Sequence, residues 1–156
     1  MSFSLDLAKF AEKTKRTTTQ AYGQICLELA TRMTMRSPVD TGMFRGNWQM
    51  GDGGIDSRKD SPVDKQPLGA APSAGSFTRW QDQLEGIRAG YSIVYITNSL
   101  PYARHLEYGL YGNPQGSANG PKTTGGFSKQ APAGIVRVTL VEYQQIVKAA
   151  IEKAKE

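Results

Sequence analysis

The sequence predicts an α+β fold: a small, mostly antiparallel sheet packed by a long N-terminal helix and a C-terminal helix, with long loop excursions. Three observations predict it. Apolar residues recur at three-and-four spacing through residues 4–36 and again through 133–155, the period of a half-buried helix. Between them, Tyr91–Asn98 is a run of β-branched and aromatic residues. Two stretches rich in Gly, Pro and Ser, 51–76 and 109–133, hold few residues that can be buried.

In the first helix, Ser2 or Ser4 can cap the N-terminus and Asp6 sits near its positive end. Leu7, Phe10 and Ala11 share a face, and Tyr22, Ile25, Cys26, Leu29, Ala30 and Met33 continue an apolar stripe. Thr17-Thr18-Thr19 is a weak point where a bend or break is expected, because β-branched residues disfavour helix. Pro38 ends the helix, since it lacks an N–H and pushes Ser37 out of helical geometry. Asp40-Thr41-Gly42 then makes a turn, with the Asp40 carboxylate expected to accept from backbone amides two residues on.

Residues 43–50 read as a strand with a helical turn at its start; Phe44, Gly46, Trp48 and Met50 share a face if extended. Residues 51–76 read as an excursion that orders only on a partner. Residues 77–88 read as a helix capped by Ser76 or Thr78, with Phe77, Trp80, Leu84 and Ile87 in line and Gly90 ending it. Both faces of Tyr91–Asn98 are largely apolar, which predicts a central strand. A helical turn follows Pro101, then the second excursion, then the last helix. Its expected buried stripe is Val136, Leu140, Tyr143, Val147 and Ile151, with Ile135, Val138 and Ile146 alongside.

The 156 residues suggest one domain, 1–156. A net charge of +5 and a pI near 9.4 are mildly basic and allow nucleic acid or an acidic surface as a neighbour. The one cysteine, Cys26, falls on the apolar stripe and reads as a core residue. No run of about 18 apolar residues and no basic-then-apolar N-terminus exist, so neither a membrane partner nor a signal peptide is expected.

Chemistry is sparse. One histidine, His105, cannot build a His-based metal cluster, and no nucleophile elbow or nucleotide-binding glycine loop is present. Asp40 and Glu107 are the carboxylates set in ordered turns. Glu107 is better explained as a partner of Arg104 or Arg45 than as an acid–base group. No enzymatic activity, cofactor or metal is expected. Lys9, Lys13, Lys15 and Arg16 form either a solvated helix face or a face turned toward DNA.

Four strings recur in a fixed order: Pro38 to Gly42, Asn98 to Ala103, Leu106 to Gly109, and Gln130 to Gly134 with Val136-Arg137. In order and spacing they resemble the small tail-component or tail-completion (neck) proteins of long-tailed bacteriophages. The loop over 109–129 is longer than that pattern requires. The resemblance implies a structural virion protein of the neck or upper tail, assembled in the host cytoplasm as a ring, most often of six copies. Its implied partners are further copies of itself, the head connector or adaptor proteins, and tail tube or tail terminator proteins, with DNA passing through the lumen. A tail terminator ring that caps tube growth is the nearest alternative, and a non-specific DNA-binding accessory protein another. The residues expected to shape the turns are Pro38, Asp40, Thr41, Gly42, Pro101, Tyr102, Glu107, Tyr108, Gly109 and Pro132. The expected interface anchors are Trp80, Tyr102, Tyr108, Tyr111 and Phe127, because aromatic residues dominate interface energetics.

Overall fold

A computed structural model describes residues 3–112 and 117–156. The elements run α1 (Phe3–Met35), α2 (Met43–Gly46), β1 (Trp48–Asp52), α3 (Ala74–Gln83), β2 (Val94–Asn98), α4 (Ala103–Tyr108), β3 (Thr123–Thr124), β4 (Phe127–Ser128), α5 (Val136–Leu140) and α6 (Tyr143–Lys155). The fold is α+β: two small antiparallel sheets, β1–β2 and β3–β4, with α1 and α6 packed together along one side. No described helix is long and apolar enough to cross a membrane.

Helix α1 is continuous through the threonine run. Thr14, Thr17 and Thr18 turn their hydroxyls back onto the carbonyls four residues earlier, at 2.8–3.0 Å, which keeps them compatible with helix. Its C-terminal carbonyls find partners instead of water. Ser37 donates to Met33, Gly69 to Met35, and the Arg45 guanidinium to Thr34, placing a cation at the negative helix end.

The core gathers Cys26, Ala30 and Met33 of α1 with Phe44, Trp48, Met50, Trp80, Leu84, Leu106 and Ile135. Burial pushes the Cys26 thiol up to about 11, with a backbone hydrogen bond pulling weakly the other way. A thiol reagent at pH 8 should therefore leave the native protein unmodified and react with one thiol after denaturation. Rapid labelling of the native chain would contradict this packing.

The 43–50 stretch opens with the expected helical turn, α2, and its strand is shifted to Trp48–Asp52. Three expectations are corrected. The second helix starts at Ala74, capped by Ser73 Oγ accepting from Ser76 N, and ends at Gln83, well before Gly90. The last helix is two helices, and its buried line is Ile135, Thr139, Ile146 and Ala150, one position off the expected stripe. Small Thr139 and Ala150 allow close approach to α1, so Leu140, Tyr143 and Ile151 face outward. Finally, among the described residues β2 pairs with β1 alone, from Trp48↔Asn98 to Asp52↔Val94, so it is an edge and not a central strand.

Side chains occupy part of each outer edge of this sheet. On β2, Val94 N–H donates to Tyr22 Oη, which donates to the Ser92 carbonyl. On β1, Met50 N–H donates to Gln83 Oε1, and the Trp48 carbonyl accepts from Arg79 and Trp80 Nε1.

The 51–76 excursion is also corrected: it is fastened to its own chain. Asp64 is 1% exposed and holds Ser73 N–H, Gln66 N–H and Arg45. Arg45, itself fully buried, also donates to the carbonyls of Ala70 and Ala71. Ser61 joins the Gln49 and Asn47 side chains. A chain stretch that offers few apolar side chains is thus held by buried polar contacts, which a hydropathy pattern does not register.

Candidate assembly site at the two turns

The turn at Pro38–Gly42 and the turn at Tyr102–Gly109 are some sixty residues apart in the chain, yet they face each other. Gln130 links the first turn to the segment before α5, its side chain accepting from Val39 N–H at 2.8 Å and donating to Val39 O at 3.0 Å. Phe44 bridges to the second turn, with its ring 6.0 Å from that of Tyr102. Between them lies a hollow of about 530 Å³ with a floor of Phe44, Leu106, Tyr102 and Tyr111. Its rim carries the exposed Asp40 and Lys122, paired at 3.4 Å. Burial raises the phenol pKa values of both Tyr102 and Tyr111, with Tyr111 and Asp40 adding to the rise at Tyr102.

Each turn depends on one glycine. Gly42 has φ of 85° and lies against the Asp64 backbone, so a Cβ there would strike the Asp64 carbonyl. Gly109, with φ of 66°, lies against the Phe127 ring, and Tyr111 N–H donates to Gly126 O just beyond it. The two excursions therefore pack onto the two turns.

Asp40 is not the acceptor that shapes its turn. Thr41 Oγ1 accepts from Met43 N–H instead, and Asp40 reaches out to Lys122. Glu107 pairs with neither Arg104 nor Arg45. Its carboxylate accepts from the backbone N–H groups of Ile135, Val136 and Arg137 at 2.7–3.1 Å, and from Arg137 Nε at 3.2 Å. Burial acts to raise its pKa, but those donors outweigh burial and hold the carboxyl below the usual glutamate range.

The expected interface aromatics divide. Trp80 is 0% exposed and belongs to the core, with its indole N–H on the Trp48 carbonyl, so it cannot anchor a partner. Phe127 is half-buried under Gly109. Tyr102 and Tyr111 are half-buried at the hollow, and Tyr108 is exposed with Arg137 5.1 Å over its ring. Pro101 and Pro132 are exposed at the starts of α4 and the α5 approach. His105 packs its ring 5.4 Å from Tyr111, and its Nδ1 is buried with no hydrogen-bond partner among the described residues. Among the described residues, no group of three or more His, Cys, Asp and Glu is placed to hold a metal ion. Lys9, Lys13, Lys15 and Arg16 all lie on the exposed first turns of α1, far from the hollow.

Sequence reasoning missed the Arg45–Asp64 pair and the Glu142 clamp, in which one carboxylate receives both Arg32 and Arg36. A signal for the first was visible. Ser-Pro-Val-Asp occurs twice, at 37–40 and 61–64, and it is the second aspartate that accepts from an amide two residues on. No protein-family model, curated protein or solved structure matches the chain.

Proposed function

We propose that the chain is a non-enzymatic structural protein of a phage neck or upper tail. It forms a closed ring that joins the tail tube to the head connector around the DNA channel. Six copies is the number its family resemblance implies. The observation that supports this reading most is the convergence of the two motif-bearing turns on one surface hollow, where Phe44, Tyr102, Leu106 and Tyr111 are arranged to receive a partner's side chain. The outer side of α5 and α6, with Leu140, Tyr143 and Ile151 exposed, offers a further apolar contact for connector or tube proteins. The exposed Lys15 and Arg16 of α1 suit passing DNA, whose phosphates they would meet without reading sequence.

The test is location. Purified particles of the encoding phage should contain the chain in several copies, and a labelled version should image at the head–tail junction. Its absence from particles would overturn the reading. Salt-dependent DNA binding at micromolar concentration by a chain absent from particles would replace it with a DNA-binding accessory role. A position at the end of a headless tail would make it the tail terminator.

A further inference from the structure

We propose that the first four turns of α1 dock on the outward face of β2 in a second copy, joining subunits head to tail. Residues 6–16 are exposed on every side, including Phe10 at 67% and Leu7 at 55%. The overhang arises because α6 stops short. The end of α6 lies beside Thr19, Gln20 and Gly23, and α1 continues past it. Leu7 and Phe10 continue the side of α1 that α6 covers farther along, at Gln24, Glu28 and Arg32. A helical segment of this length is marginal in water on its own, and an apolar stripe on it calls for a covering surface.

The matching surface is the outer side of β2. Val94 and Ile96 pack inward on the core, while Tyr91 and Ile93, on the approach to the strand, are 78% and 63% exposed. Tyr95 continues the same alternation inside the strand and is 40% exposed. A sheet face of this composition is normally covered by a second layer, most simply a helix. Strand addition cannot supply it, because an added strand extends an edge and leaves the face open. Within one chain the two faces do not cover each other: Thr19 and Tyr22 are the α1 residues bonded to the 89–94 segment, and the overhang runs beyond them.

Charge favours a second copy as the occupant. The stripe carries Asp6 and, two turns on, Lys13. The patch carries Arg88, lying 5.5 Å over the Tyr91 ring, and Asp52, bonded from Ser92. One acid and one base on each face can pair across the contact. Because the two faces are different parts of the molecule, one-way repetition of the contact makes a ring or a filament, whereas a reciprocal exchange would close as a two-fold dimer and stop the double variant below at a single dimer band, overturning the head-to-tail joint. The contact supplies the subunit joint of the ring proposed above and rests on that reading for its setting.

The experiment uses the full chain with single cysteines at exposed positions, the native Cys26 being buried and silent. A Phe10→Cys protein mixed with an Ile93→Cys protein should form a disulfide-linked pair under mild oxidation, and neither should pair with itself. The double variant should give a ladder of covalent oligomers. Pairing of Phe10→Cys with itself, or with Ile151→Cys on the outer side of α6, would overturn the proposal. So would a wild-type chain that stays monomeric at the highest concentration reached. If cross-linking fails while the chain is found in particles, this contact falls and the virion reading stands. If cross-linking succeeds and the chain is absent from particles, the reverse holds.

Discussion

Asp64→Ala should lower the unfolding free energy by about 3–5 kcal/mol, the usual cost of leaving one member of a buried ion pair without its partner. The substitution strands the fully buried Arg45 guanidinium and takes the acceptor from the part-buried N–H bonds of Ser73 and Gln66. It also removes the tie that holds the 51–76 excursion against the first turn. Urea titration measures the loss. Limited proteolysis gives the second readout: the wild-type excursion should resist cleavage, and the variant should be cut within it first. A double change, Arg45→Met with Asp64→Leu, should be milder than either single change, because it removes both charges together. A single variant within about 1 kcal/mol of wild type and equally protease-resistant would show that the pair does not hold the loop.

Glu107→Gln should destabilise by about 2–3 kcal/mol, since one charged acceptor serves three backbone donors and Arg137, and an amide has only one oxygen to offer them. The same contacts set the acid response. A carboxyl held below its ordinary value contributes stability that is complete above the unfolded glutamate value of about 4.3, and loses it as pH falls through the lower folded value. Glu142 behaves alike, lowered first by its hydrogen bond to Arg32 and further by Arg36, against a desolvation that raises it. Wild-type Tm should therefore be flat from pH 5 to 7 with respect to these groups and fall below about pH 4. Glu107→Gln should start lower and fall less steeply. An equal acid slope in both proteins would remove Glu107 from the account.

These two carboxylates show where the sequence is legible and where it stops being so. The α+β class, the long first helix and its end at Pro38 follow from period and proline chemistry, which are local. The phase of the last helices is not local. Val136, Leu140, Tyr143, Val147 and Ile151 make as good a stripe as the line that is buried, and the choice is made by the small Thr139 and Ala150 against α1. The repeated Ser-Pro-Val-Asp string makes the same point. One aspartate is exposed at the rim of the hollow and the other is sealed inside, because Arg45 faces only the second. Glu107 was legible as a turn carboxylate needing a donor. Its actual donors, a helix start thirty residues downstream, depend on how the second excursion folds back.

The capped edges of the β1–β2 sheet have a consequence for how such a chain behaves when crowded. A two-stranded ribbon ordinarily offers main-chain templates along both margins, and identical chains at high local concentration can zip onto them without limit. Here Tyr22 occupies one margin and Gln83, Arg79 and Trp80 the other. These side chains stand where an incoming strand would have to bond, so strand-on-strand growth must first displace them, and crowded copies meet more readily through side-chain surfaces of fixed shape.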